Sequence, residues 1–222
     1  MAKHDDSKGN SFARSILRGV QLPTVIEIAK DSAEAGVDAM LEDSFAAIIP
    51  GVKILEYLVR LPSNVSNELF KRSVMGFIEA GEEAKPEEWQ KFIEKLEEQK
   101  GGLDRAGDIL MRSLANLDDQ RKATYLGMIY AAAARRELTI SELKRCCMII
   151  DRVYLDDLDE FAMVVYSAGD GLVEARDAMM FLGLVDRLTN SKIRGGIGPE
   201  QDEPTSIALK LLHVVSEEGR LR

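Results

Sequence analysis

The chain has 222 residues, 45% hydrophobic and 30% charged, the balance of a soluble globular protein with a sizeable core and one or two domains. Its formal net charge of −9 disfavours general binding to nucleic acids, because that affinity rests on Lys and Arg neutralising phosphates. An aromatic content of only 6%, together with nine Met, favours helices over sheets and predicts an all-α class.

The first segment, 1–13, is expected to be a disordered tail, and it lacks the apolar run of a signal peptide. A helix is predicted from Pro23 to about Phe45. The apolar stretch 45–61 is too short to span a membrane and is broken at Pro50-Gly51, so it is interpreted as a buried helical hairpin. A membrane-active helical effector that uses this hairpin is the third functional hypothesis.

Residues 14–138 are predicted to form a helical bundle, since residues that start or end helices recur between amphipathic stretches. Pro86 opens one helix with carboxylates in its first turn, and Gly101-Gly102 ends it. The other helices predicted in this half span 24–45, 52–61, 63–79, 103–117 and 118–137.

The sequence Thr139-Ile140-Ser141-Glu142 fits a capping box and predicts that a new helix starts there. Cys146 and Cys147 lie on this helix and point about 100° apart, which makes them a poor disulfide or metal pair. They are interpreted as reduced core residues, which indicates a cytoplasmic protein. A second acidic helix is predicted over 156–167, where its first carboxylates cap the helix rather than bind a metal.

Catalytic patterns are scarce. Nucleophilic triads need a histidine, and the chain has only His4, in the tail, and His213, on an apolar helix where a core or boundary role is expected. The glycines of segment 195–198 lack the spacing of a phosphate-binding loop. The sequence therefore predicts a protein that is not an enzyme, with no cofactor, no metal site and no catalytic residue.

The last quarter of the chain has a distinctive order of segments. A short helix over 170–181 is followed by the exit Leu182-Gly183-Leu184-Val185, a polar Gly-rich loop over 187–204 and a closing helix over 205–215. This order resembles the end of a winged-helix module, in which the Gly-rich loop is the wing. The resemblance implies a winged-helix-like domain over 139–222, with at most a small two-stranded wing and extended structure confined to 185–204.

A winged helix that reads DNA needs basic or amide side chains on its second turn-linked helix. The candidate partner-binding residues are Glu174, Arg176 and Asp177 on that helix and Lys192 and Arg194 in the presumed wing. Winged helices without a basic face commonly bind proteins. The resemblance thus implies a non-enzymatic protein-protein interaction module, an adaptor, regulator or assembly subunit, with a protein partner or self-association expected. A DNA-binding winged-helix regulator is the alternative.

Overall fold

A computed structural model describes Leu17 and residues 65–167, 176–187 and 202–215. In this part of the chain the fold is all-α, with two short strands. Its elements are α1 (Val65–Gly81), α2 (Pro86–Glu98), α3 (Gly102–Ala115), α4 (Arg121–Ala134), α5 (Ile140–Arg152), α6 (Leu155–Ser167), α7 (Arg176–Phe181), β1 (Val185–Arg187), β2 (Asp202–Pro204) and α8 (Ser206–Val215).

Several predictions from the N-terminal sequence lie outside the described residues. These are the tail 1–13, the helix 24–45 and the 45–61 hairpin. Among the helices that the structure does describe, none is long and apolar enough to cross a membrane.

The chain divides into two compact units between Glu137 and Leu138. Helices α1 to α4 belong to the first unit, and α5 to α8 with the two strands belong to the second.

The first unit has an aromatic core made of Phe77, Trp89, Phe92 and Tyr130, which meet edge to face at centroid distances of 5.4 to 6.5 Å. Two polar atoms of this core are satisfied by backbone carbonyls. Trp89 Nε1 donates to the carbonyl of Gly81 at 2.9 Å, and Tyr130 Oη donates to the carbonyl of Ala106 at 3.0 Å. The four rings lie on α1, α2 and α4, and the carbonyl of Ala106 adds α3, so the core joins all four helices.

Helix α4 is shorter at both ends than the predicted 118–137, for local reasons. At its start, the Asp119 carboxylate accepts a hydrogen bond from the backbone N–H of Arg121 at 2.8 Å, so the helix begins at Arg121. At its end, Arg136 adopts a left-handed conformation with φ 67°. The N–H of Glu137 then bonds the carbonyl of Ala132 at 2.9 Å, which completes a Schellman cap without glycine.

The second unit begins with the predicted capping box, which the structure confirms. Thr139 Oγ1 accepts from the N–H of Glu142 at 3.2 Å, and Glu142 Oε2 accepts from the N–H of Thr139 at 2.8 Å. The two cysteines of α5 are buried, as predicted, and neither forms a disulfide bond among the described residues. Helix α6 begins at Leu155 and carries Asp156 and Asp157 in its first turn.

Strands β1 and β2 pair antiparallel, with Val185 opposite Pro204 and Arg187 opposite Asp202. They confirm the prediction that extended structure lies within 185–204, as far as the described ranges reach. The segment 188–201 between the strands, which contains the predicted wing glycines, lies outside those ranges.

Candidate interaction surface

Helix α7 ends in a sharp turn that leads the chain into β1. Gly183 has φ 72°, a conformation that glycine adopts without strain from a side chain. The N–H of Leu184 bonds the carbonyl of Met179 at 2.9 Å, and the N–H of Gly183 bonds that of Met180 at 3.0 Å. This Schellman cap buries Met179, Leu182 and Leu184 and thereby fixes which side of α7 remains outside.

Thr205 joins this turn to the closing helix. Its backbone N–H bonds the carbonyl of Leu184 at 2.9 Å, and its hydroxyl donates to the carbonyl of Gly183 at 2.8 Å. The same hydroxyl oxygen accepts from the N–H of Ala208 at 3.2 Å and so caps α8. One residue, through its backbone N–H and its hydroxyl, therefore connects the turn between α7 and β1 to the start of α8.

The outer side of α7 carries an acid and a large aromatic residue. Asp177 and Ala178 are exposed, and Phe181 is 84% exposed. Asp177 and Phe181 are four residues apart and share one side of the helix. Burying a phenylalanine side chain stabilises a protein by about 1.5 to 3 kcal/mol, so this surface has a large apolar contact to offer a partner.

The structure places two of the five predicted partner-binding residues. Asp177 is exposed on α7, and Arg176 is the first residue of that helix. Glu174, Lys192 and Arg194 lie outside the described residues.

Phe181, the most exposed large hydrophobic residue in the described ranges, was missing from the predicted set. The sequence signal that could have identified it is helical spacing. Phe181 lies four residues after Asp177, whereas the apolar residues Met179 and Leu182 lie on the buried side.

The described cysteines and histidine lie in different surroundings. Burial raises the pKa of Cys146 to about 12 and also raises the pKa of Cys147, so neither thiol is a ready nucleophile. His213 is exposed on α8, which corrects the expectation of a core or boundary position, because its neighbours Leu212 and Val214 take the inner side. Within the described ranges, no group of His, Cys, Asp or Glu side chains is arranged to hold a metal ion.

One basic side chain lies in the interior of the first unit. Lys122 is 1% exposed, and its Nζ lies 2.7 Å from Asp118 Oδ1. The Lys122 ammonium group beside it holds the pKa of Asp118 below the usual value. The pair therefore neutralises a buried charge at the start of α4, which is a structural role.

A second ion pair joins α8 to the capping box of α5. Lys210 Nζ lies 2.6 Å from Glu142 Oε1, while the other carboxylate oxygen accepts from the Thr139 backbone. The hydrogen bond from Lys210 and those of Thr139 lower the pKa of Glu142 to about 2. The carboxylate thus links α8 to the start of α5 only while it is ionised.

This arrangement predicts an acid-dependent loss of stability. The pKa of Glu142 is lower in the folded protein than in the unfolded chain, so its ionised carboxylate stabilises the fold at pH values above the unfolded pKa. This stabilisation is lost as the pH falls towards the folded-state pKa. We expect Glu142→Gln to flatten the fall in melting temperature between about pH 4.5 and pH 2. Melting curves followed by circular dichroism at each pH measure it. Lys210→Gln should flatten the same interval, and an unchanged slope in both variants would contradict the linkage.

The described exposed side chains of α7 can make apolar contact and accept hydrogen bonds, which suits contact with a protein surface. No known protein-family model, curated protein or solved structure matches the chain.

Proposed function

We propose that this chain is a non-enzymatic protein-protein interaction module, an adaptor, regulator or assembly subunit, that presents α7 to another protein. The observation that carries the proposal is Phe181, 84% exposed on the side of α7 that also presents Asp177. Aromatic residues are enriched in the energetic centres of protein interfaces, and an exposed ring offers a partner a large apolar contact.

The order of elements in the second unit supports a winged-helix-like domain over 139–222. Helices α5, α6 and α7 are followed by the pair β1 and β2 and then by α8. On this interpretation α7 is the helix that a DNA reader would lay in the major groove. Its outer side instead offers Asp177, Ala178 and Phe181, and an exposed carboxylate repels phosphates, so a protein partner suits this helix better than DNA.

A cytoplasmic location belongs to the same proposal. It is supported by the two free, buried cysteines, since free thiols are usual in that compartment.

Phe181→Ser tests the proposal. Because the ring is exposed, we expect the variant to melt like the wild type but to lose the protein that immobilised wild-type chain captures from its native host. With that protein purified, calorimetry should show binding weaker by about 2 kcal/mol, or roughly 30-fold, the usual cost of truncating an aromatic anchor. Leu69→Ser, on α1 in the first unit and 43% exposed, is the matched control and should bind normally.

Two results would decide against this role. Undiminished capture by Phe181→Ser would remove α7 from the interface. Tight, salt-dependent binding to duplex DNA, abolished by Lys192→Ala together with Arg194→Ala, would favour the DNA-binding regulator instead.

A further inference from the structure

The outer side of α5 combines positive charge with an exposed methionine. Lys144 and Arg145 are exposed, and Met148, one turn later, is 42% exposed. The two residues between them, Cys146 and Cys147, are buried in the second unit. We name Lys144, Arg145 and Met148 the basic face.

The outer side of α6 repeats this pattern with the opposite charge. Asp159 and Glu160 are exposed, and Met163, one turn later, is 62% exposed. The two residues between them, Phe161 and Ala162, are buried. We name Asp159, Glu160 and Met163 the acidic face.

The two faces match in spacing as well as in charge. On each helix the charged residues precede the methionine by four and three positions, which places all three on one side of the helix. Each face extends over about 6 Å of helix axis, at 1.5 Å per residue. If the two helices lay side by side in parallel with Met148 against Met163, both bases would meet both acids.

We infer that the second unit binds a second copy of the chain, with the basic face of one copy docked on the acidic face of the other. The inference goes beyond the proposed function, because it concerns α5 and α6 rather than α7. Charge complementarity sets the pairing, and the two methionines supply an adaptable apolar contact at the end of each face. The two faces differ, so each copy uses its basic face for one neighbour and its acidic face for another. Such a contact generates a ring or an open chain, unless two copies use both pairs of faces on each other and form a closed dimer.

A second copy suits the basic face better than a nucleic acid. An exposed methionine on that face gains nothing from phosphates, whereas the acidic face supplies both acids and an apolar partner at the same spacing.

Charge reversal of one face at a time tests the pairing in the full chain. Variant one carries Lys144→Glu and Arg145→Glu, and variant two carries Asp159→Lys and Glu160→Lys. Sedimentation of the wild type should show concentration-dependent association that weakens as salt is raised. Each variant alone should associate at least about tenfold more weakly, because like charges then meet. An equal mixture of the two should recover the association, since each acquires a complementary face on the other.

Matched controls keep the result specific. Lys91→Glu with Lys95→Glu makes the same charge change on exposed positions of α2 and should associate like the wild type.

Arg145 Nη2 lies 3.0 Å from the position that a Cβ on Gly183 would take, so its replacement risks disturbing that turn. If either double variant melts lower than the wild type, Lys144→Glu and Glu160→Lys replace the two and carry the same expectations.

A wild type that stays monomeric at all concentrations would overturn the inference, as would reversal variants that associate undiminished or a mixture that does not associate. None of these outcomes bears on Phe181, which the reversal variants leave in place. Conversely, Phe181→Ser leaves both faces unchanged, so failure of the α7 proposal and failure of this inference are separately visible.

Discussion

Replacing Gly127 with alanine is expected to destabilise the first unit by about 2 kcal/mol. Helix α4 passes so close to α1 that a Cβ at this position would lie 2.4 Å from the carbonyl oxygen of Phe77 and 2.7 Å from the Cβ of Ala80. A backbone oxygen can retreat only if α1 moves with it, and overpacking of this kind costs about 3 kcal/mol at its upper range. The better helix propensity of alanine offsets about 1 kcal/mol of this cost. Urea denaturation followed by circular dichroism measures the free energy of unfolding.

Gly76→Ala is the matched control, because Gly76 lies on α1 and faces α4. Its added Cβ would lie 3.4 Å from Thr124 Oγ1, which is close to ordinary contact. We therefore expect a free energy of unfolding equal to or up to about 1 kcal/mol above that of the wild type. If both alanine variants were equally stable, the close approach of α4 to α1 at Gly127 would be wrong.

Trp89→Ala is expected to cost the first unit about 4 kcal/mol, which is within the range for removing a buried aromatic side chain. Trp89 is fully buried, packs edge to face against Phe92 at a centroid distance of 5.9 Å and donates to the carbonyl of Gly81. The substitution removes the ring and leaves a cavity between α2 and its neighbours. The same denaturation experiment, followed by circular dichroism because the chain has a single Trp, measures the loss.

Trp89→Phe separates packing from hydrogen bonding at this position. It keeps an aromatic ring but leaves the carbonyl of Gly81 without its donor, so we expect an intermediate loss of about 1 to 2 kcal/mol. A loss below 1 kcal/mol for Trp89→Ala would show that this ring is not part of the core.

Local signals in the sequence predicted the features that depend on neighbouring residues. The capping box at Thr139 and the proline start of α2 at Pro86 were both identified, because each device satisfies backbone groups within a few positions. The strands at Val185 and Pro204 fell within the extended region that the resemblance implied, between a glycine cap and a threonine cap. Features of this kind need no knowledge of the tertiary fold.

Two features of the first unit were not predicted, one of them local and the other dependent on distant parts of the chain. Arg136 ends α4 in a left-handed conformation that the sequence favours only weakly outside glycine, so the predicted helix was too long. Lys122 is buried because the surrounding first unit encloses its stem, which helical spacing does not reveal.

The candidate surfaces show the same limit. The residues of both α5 and α6 faces were visible in the sequence, but their exposure depends on how each helix packs. The acids at the start of α6 were interpreted as helix caps alone, and Phe181 was treated as a helix end. The structure shows that the residues between the charges and the methionine on each helix are buried, which leaves the charges and the methionine outside. These buried residues are Cys146, Cys147, Phe161 and Ala162.

The two adjacent thiols of α5 connect the folding of the second unit to its chemical durability. In the folded unit Cys146 and Cys147 are shielded from solvent and protonated at neutral pH, so oxidants meet no reactive sulfur there. Unfolding releases both at once, with pKa values near those of ordinary thiols. Cross-linking between unfolded chains then competes with refolding, so under oxidising conditions the lifetime of the protein depends on how often this unit opens.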